Sequence, residues 1–327
     1  MKVVELLERR RRNWTELEQY CDQLHPSKGK PNANRAADMS RFAALYRAAC
    51  ADLALADAYQ LPQNTVQYLH RLVGRAHNQL YRSRRFQFRK WLPMLLEEVP
   101  QRIFRDRCVQ LMFLVFWGMF ILAAWLAYSK TAYPEFATQV LGEEGINGLE
   151  EMYKNPIDGS DRSGDDNMFM AAFYIQHNTS IGLQCFAWGL LVVPGLLVTM
   201  FNAVMLGSAF GYMARPDVEA GQNFFHFVTA HGPFELTAIV LCAGAGLRLG
   251  LSWMFTKGLT RTSSLRKAGT EAMPVIGAAM VMFFMAALIE GFLSPSAAPY
   301  WVKVTVAVLS SAFLAFYFVI LGFPRRS

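Results

Sequence analysis

A run of 19 residues without a charged side chain, from Val109 to Ala127, constrains this chain more than any other feature. An α-helix needs about 20 apolar residues to cross the hydrocarbon core of a bilayer. Further apolar runs occupy about 181–206, 274–293 and 302–321, and the last two each contain one charged residue, Glu290 and Lys303. Of the 327 residues, 53% are hydrophobic and 17% are charged, whereas a soluble domain has about 25% charged residues. These features predict an all-α, polytopic integral membrane protein and exclude soluble, disordered and disulfide-scaffold classes.

The uneven charge predicts the domains and the orientation. Residues 1–107 carry 20 basic and 11 acidic side chains, whereas residues 128–176 carry three basic and nine acidic ones. Because basic segments stay cytoplasmic, residues 1–107 are predicted to form a cytoplasmic helical domain, and 128–176 an acidic extracytoplasmic loop. Residues 108–327 form the membrane domain, with both termini cytoplasmic. A basic and aromatic stretch at 82–91 favours anionic lipid over nucleic acid as a partner.

The segment 222–256 is apolar but does not fit a simple count of crossings. It precedes a basic loop, and the predicted second span at 181–206 already ends inside, so an even number of crossings is required between them. Because 35 residues are too few for two full spans and a turn, a re-entrant pair of half-helices is expected, with a break at His231, Gly232 and Pro233. A further kink is expected at Pro194.

Four polar residues in or beside the apolar segments are the candidate functional site: His231, Glu235, Glu290 and Arg248. Ionisable groups at such depth are costly and usually face the protein interior or a wet cavity. His231 and Glu235 are four residues apart and share one helical face, so they could relay a proton or simply tie two helices together. Arg248 could snorkel to the interface or pair with a carboxylate on another helix.

No catalytic or cofactor motif accompanies these residues. His226, His231 and Glu235 offer two imidazoles and a carboxylate for a metal, but two histidines five residues apart lie on different faces of one helix. No metal and no cofactor are therefore predicted. The five cysteines lack metal-ligand or redox spacing. Small residues at 243–246 favour close helix packing over nucleotide binding.

Several stretches resemble the stage II sporulation protein M family. The stretch 231–239 (HGPFELTAI), followed by 243–250 (AGAGLRLG), is similar to the signature of that family. The stretch 286–295 (AALIEGFLSP) resembles its late Glu-to-Pro motif. The stretch 202–207 (NAVMLG) resembles its Asn–Gly pattern, although Ala203 replaces the usual glycine. Further similarity to the longer members lies in the N-terminal part, at Trp14, Leu45-Tyr46-Arg47 and Arg75-Ala76-His77.

The resemblance implies a multi-span membrane protein of the bacterial plasma (inner) membrane, with a MoxR-type ATPase system among its possible partners. Two functions follow from the residues and stay open. One is a non-enzymatic cell-envelope scaffold that recruits partners. The alternative is a transporter or channel that uses a broken helix with buried His231 and Glu235. An intramembrane enzyme is less favoured than either. A homodimer or other homo-oligomer is expected, because a polar element in a small bundle needs walls on all sides.

Overall fold

The computed structural model describes residues 3–23, 35–80, 93–157 and 164–323. All regular secondary structure in these ranges is helical. The chain divides into two compact units, Met1–Gln87 and Phe88–Ser327. The basic and aromatic stretch at 82–91, predicted to lie on lipid headgroups, is outside the described residues.

The described residues of the first unit form three helices around a core of their own. These helices are α1 (Val3–Gln23), α2 (Arg35–Ala58) and α3 (Gln63–Leu80). Asp52 is fully buried and accepts hydrogen bonds from Trp14 Nε1 at 2.9 Å and from Arg10. The core is formed by these residues: Trp14, Leu17, Cys21, Phe42, Leu45, Ala49, Ala56, Leu69, Leu72 and Ala76. Apolar positions at helical spacing therefore fold this unit around one internal cluster.

The second unit holds the remaining helices. In chain order these are a π-helical turn (Met94–Glu98), α4 (Val99–Arg105), α5 (Arg107–Tyr128), α6 (Phe136–Met152), α7 (Gly164–Gly189), α8 (Val193–Met213), α9 (Gly221–Val228), α10 (Gly232–Met254), α11 (Arg261–Leu288) with a π-helical turn (Ile289–Leu293), and α12 (Tyr300–Ala315) with a π-helical turn (Phe316–Ile320). Within the described ranges, α5, α8, α10, α11 and α12 are long and apolar enough to cross a membrane. The predicted spans at 109–127, 274–293 and 302–321 fall on α5, α11 and α12.

The predicted second span, 181–206, is wrong as a single crossing. Helix α7 ends at Gly189, the backbone turns at Leu190 to Val192, and α8 begins at Val193. Val192, the residue before α8, adopts φ +58° and ψ −73°, the geometry of a tight three-residue turn, and the Val193 N–H donates to the Leu191 carbonyl oxygen at 2.7 Å. Pro194 lies in the first turn of α8, where its missing N–H costs nothing, so it starts a helix and does not kink one.

Close contacts give the direction of each helix. Gly207 and Gly211 of α8 pack against the backbones of Phe120 and Ala124 of α5, so these two helices run in parallel. In the same way, α7 runs parallel to α10, because Gly182 lies beside Cys242 and Gly189 beside Gly246. Gly244 of α10 packs on Val109, and Arg248, one turn later on α10, pairs with Asp106, which precedes Val109, so α10 runs antiparallel to α5.

The reversal between α7 and α8 removes the reason for a re-entrant segment. Helices α7 and α8 pass along the bundle in opposite directions, whereas the apolar run at 181–206 predicts one passage. With this additional passage, a single crossing by α10 satisfies the count. Residues 232–254 form one continuous helix, so the expected pair of half-helices within 222–256 is wrong. The break does lie at His231 to Pro233, but it separates the short α9 from a full-length span. The predicted acidic loop 128–176 also differs, because it contains α6 and the start of α7.

Helix α10 is the centre of the second unit. In its apolar stretch 72% of the residues are buried, against 17% to 39% in the other four spans. Small residues on α10 allow neighbouring helices to pack closely against it. A Cβ atom on Gly246 would lie 2.3 Å from the carbonyl oxygen of Phe186 on α7. The surrounding helices instead expose apolar side chains such as Leu114, Phe201 and Leu309, as expected of lipid-facing positions.

Candidate functional site

The start of α10 positions two of the predicted site residues. His231 is the residue before the helix, Gly232 and Pro233 form its first turn, and Glu235 follows one turn after His231. Proline suits this position because the first N–H groups of a helix have no intrahelical partner. His231 Nε2 lies 3.6 Å from Glu235 Oε2. The two side chains therefore share one face, as their spacing predicts.

A π-helical turn at the end of α11 brings in the third residue, Glu290. The turn is closed by a hydrogen bond from Ser294 N to Ile289 O at 2.8 Å, five residues back. Glu290 is 8% exposed and accepts a hydrogen bond at 3.1 Å from Asn178 Nδ2 of α7. Within the described residues, ligand atoms of His231, Glu235 and Glu290 all lie within 4.8 Å of one another. We call these three residues the His–Glu–Glu cluster.

Partners from α7 and the α11–α12 connection surround the cluster. His231 Nδ1 lies 3.0 Å from Ser294 Oγ. His231, Asn178 and Ser294 are all buried. The cluster is thus held by hydrogen bonds from two separate segments, and its two carboxyl groups lie close together in a poorly hydrated place. Two carboxylates so placed repel each other unless a cation or a proton lies between them.

A buried lysine lies beside the cluster but does not contact its carboxylates. Lys303 of α12 is fully buried and donates to the carbonyl oxygens of Ser294 at 2.6 Å and Ser296 at 3.1 Å, with His226 Nδ1 at 2.8 Å. His226 lies on α9 and stacks on Tyr300. Burial, and then the nearby Lys303 charge, lower the pKa of His226 below its usual range. The neutral imidazole of His226 therefore accepts a hydrogen bond from Lys303.

Arg248 lies at the opposite end of the bundle. It is 13 residues beyond Glu235 on α10, about 20 Å along the helix axis. Its Nε donates to Asp106 Oδ2 at 2.7 Å and its guanidinium to Glu271 Oε2 at 2.5 Å. Asp106 also caps α5 through the backbone N–H of Cys108. Arg248 therefore pairs with carboxylates on neighbouring segments, which was one of its two expected roles, and it is not part of the His–Glu–Glu cluster.

Sequence reasoning missed three residues around the cluster: Asn178, Ser294 and Lys303. Lys303 had a visible signal, since it is the only charged residue in the last apolar run. Asn178 had a weaker one. It lies in a polar stretch that hides the N-terminal half of α7 from a search for apolar runs. Ser294 lies in the stretch 286–295 that resembles the family motif, but nothing in the sequence marks it as a partner of His231.

The geometry allows two kinds of chemistry at the cluster. One imidazole and two carboxylates can hold a cation, or they can share protons. The sequence offers His226, His231 and Glu235 as possible metal ligands. In the structure His231 and Glu235 lie together, whereas His226 contacts Lys303. Glu290 takes its place in the cluster.

Comparison with known proteins gives two family matches. The sequence profile described as stage II sporulation protein M matches residues 112–295, which is more than half of the chain and includes the His–Glu–Glu cluster. A profile described as a domain of unknown function, DUF8413, matches residues 4–82, which correspond to the first compact unit. No curated protein and no solved structure matches the chain.

Proposed function

Because the chain belongs to the stage II sporulation protein M family, we propose that it is a non-enzymatic scaffold of the cell envelope that recruits partner proteins to the membrane. One observation carries this proposal: the chain joins a separately packed three-helix unit to a membrane bundle. A helical unit with its own core is suited to present a surface to another protein. The family resemblance points to a MoxR-type ATPase system as a source of partners.

The scaffold role can be tested by cross-linking in cells. A photo-reactive amino acid at Tyr59, whose side chain is 61% exposed in the first unit, is expected to capture a partner protein. The same amino acid at the buried Leu72 is the matched control and should capture nothing. In the reciprocal experiment, the photo-reactive amino acid is placed on the captured partner, and this chain should then be recovered with it. Adducts restricted to the chain itself would contradict the proposal.

The bundle has a preferred orientation if basic loops stay cytoplasmic. One end of the bundle, which we call the Arg248 end, carries Arg102, Arg105, Lys257 and Arg261, and the connections at the other end carry mostly acidic residues. We place the Arg248 end, with both termini, in the cytoplasm of a bacterium, and the cluster near the outer face of its plasma membrane. Reporter fusions test this placement.

The fusions are placed at two connections. A fusion after residue 191 is expected to report the cytoplasmic side, and a fusion after residue 216 the opposite side. The reverse pattern would overturn the orientation. Identical reports from both sites would instead contradict the crossing of α8.

A transporter or channel is the second candidate, favoured by ionisable residues buried in apolar helices. Two features reduce its support. Helix α10 is continuous, and the cluster lies at the ends of α10 and α11, whereas transport sites lie near the bilayer midplane. Ion flux in proteoliposomes decides the matter: flux in the wild type that is lost in Glu235→Gln would replace the scaffold proposal with transport.

We also propose that the bundle forms a homodimer, because its lipid-facing helices offer large apolar faces to a second copy. The mass of the chain is 36.9 kDa. A protein mass of twice this value, measured in detergent by light scattering, would support the dimer. A single-chain mass would contradict it.

A further inference from the structure

We propose that the His–Glu–Glu cluster binds a divalent transition-metal cation such as Zn²⁺, through His231, Glu235 and Glu290. This inference does not depend on the scaffold role.

The spacing of the ligand atoms fits such an ion. Around tetrahedral Zn²⁺ with ligands at 2.0–2.2 Å, neighbouring ligand atoms are about 3.4 Å apart. His231 Nε2 and Glu235 Oε2 are 3.6 Å apart, which is too long for a hydrogen bond and close to this value. The third ligand atom, on Glu290, lies within 4.8 Å of both. Small rotations of the carboxylates suffice to close the set around one ion.

Hydrogen bonds behind the ligands hold them in the required form. When His231 donates from Nδ1 to Ser294 Oγ, its Nε2 carries a lone pair that faces the two carboxylates. Asn178 Nδ2 donates to Glu290 Oε2 and orients that carboxylate. Metal-bound histidines and carboxylates are typically held by such outer partners. The cluster thus resembles a prepared ligand set more than a chance meeting of polar groups.

The charge around the cluster also calls for a cation. Among the described residues, neither Glu235 nor Glu290 pairs with a lysine or arginine. The nearest buried cation, Lys303, directs its Nζ bonds to Ser294, Ser296 and His226. Two carboxylates and an imidazole lone pair would be left facing one another at low dielectric, and a divalent cation satisfies all three at once.

The composition of the site indicates the class of ion. One imidazole with two carboxylates suits first-row divalent metals, and Zn²⁺ is bound by these ligand types. Three protein ligands leave a fourth position for water. The side chain of Glu235 is 16% exposed, against 6% for His231, so Glu235 is the more accessible of these two ligands.

The test uses the full-length chain without an affinity tag, stripped with a chelator in detergent and titrated with Zn²⁺. Metal bound per chain is measured after desalting. The wild type is expected to bind one ion. Glu235→Gln and Glu290→Gln keep the size of the side chain but remove a ligand charge, and they should weaken binding by at least about tenfold. The matched control is Glu143→Gln, the same change at an exposed position of α6, which should bind like the wild type.

A second readout covers variants that fold poorly. Asn178→Ala keeps all three ligands and should weaken Zn²⁺ binding about tenfold, because it releases only the orientation of Glu290. At the same Zn²⁺ concentration, the Tm should also rise in the wild type and the control, and rise less in Glu290→Gln. Absence of binding to the wild type, or equal binding to the wild type and both glutamine variants, would overturn the proposal and leave proton sharing as the role of the cluster.

Discussion

For Glu290, the sequence predicts burial but does not predict the residues that it contacts. Its position in an apolar run predicts a buried functional or structural role, because an unpaired carboxylate in such a run is costly. Its partner Asn178 lies 112 residues away on a helix that the apolar pattern does not show. His231 and Glu235 could be paired from their spacing alone. Glu290 could not be joined to them, because that contact depends on how α7, α10 and α11 pack.

The ion pairs of Arg248 give a prediction at the residue scale. Asp106 is 1% exposed and is paired with Arg248, so Arg248→Met should leave a buried carboxylate without its partner. We expect a loss of about 3 kcal/mol in stability, since breaking a buried ion pair strands the remaining charge. Arg248→Lys should recover part of the loss because it keeps the positive charge. The recovery should be incomplete because lysine lacks the planar fork that reaches Asp106 and Glu271 together. Thermal unfolding in detergent measures both variants, and an unchanged Tm for Arg248→Met would contradict the role.

His226 gives a prediction on pH. Its pKa is lower in the folded chain than in the unfolded one, so the unfolded chain takes up protons first as the pH falls. His226 therefore contributes stability above its ordinary pKa of about 6.5, and this contribution is lost as the pH falls below that value. Between about pH 7.5 and about pH 5.5 the wild type should lose more Tm than His226→Gln, which keeps an acceptor for Lys303 without titrating. Equal losses in the two proteins would contradict this account.

At the scale of elements, apolar runs predicted where α5, α11 and α12 cross but not where α7 and α8 meet. The run at 181–206 has no charge and one proline, so it reads as a single kinked span. The three turn residues, Leu190 to Val192, include no polar residue or glycine that would predict a turn. Backbone contacts hold it in place: Gly250 of α10 packs against the carbonyl oxygens of Gly189 and Leu190. Tertiary packing, absent from any local pattern, decides this reversal.

The packing of α10 can be tested with two matched glycines. A Cβ on Gly246 would meet the Phe186 carbonyl oxygen at 2.3 Å, whereas a Cβ on Gly277 of α11 has no atom within 4 Å. We expect Gly246→Ala to destabilise the bundle by about 1–3 kcal/mol through overpacking. Gly277→Ala should be neutral or slightly stabilising, because alanine favours a helix. Chemical denaturation in detergent compares them, and equal stabilities would contradict the close contact.

At the scale of the whole molecule, composition and charge predicted the class of protein, and the boundary between its parts was less visible. The structure divides the chain at residues 87 and 88, whereas charge placed the boundary at 107. The difference arises because α4 packs with the membrane unit: Phe104 contacts Phe323, and Arg102 donates to the Glu271 carbonyl oxygen. Basic residues near a first span therefore do not mark the end of a separate domain.

The separation of the two units predicts a local response to mutation. Asp52→Ala removes the buried acceptor for Trp14 Nε1 and should cost the first unit about 1–3 kcal/mol. Hydrogen–deuterium exchange of the intact protein should show faster exchange in residues 35–80 and no change in residues 164–323. Faster exchange in both regions would show that the units unfold together and contradict their independence.

The most direct test of the buried cluster is a double-mutant cycle between Asn178 and Glu290. The cycle compares the stabilities of Asn178→Ala, Glu290→Ala and the double variant in metal-depleted buffer, because alanine at either position removes the hydrogen bond. Their hydrogen bond joins α7 to the end of α11, so it exists only if the chain reverses at residues 190–192 and brings the cluster together. The structure predicts a coupling free energy of about 1 kcal/mol or more, as measured for residues in contact. Additive effects, within about 0.3 kcal/mol, would contradict both the course of α7 and the assembly of the cluster.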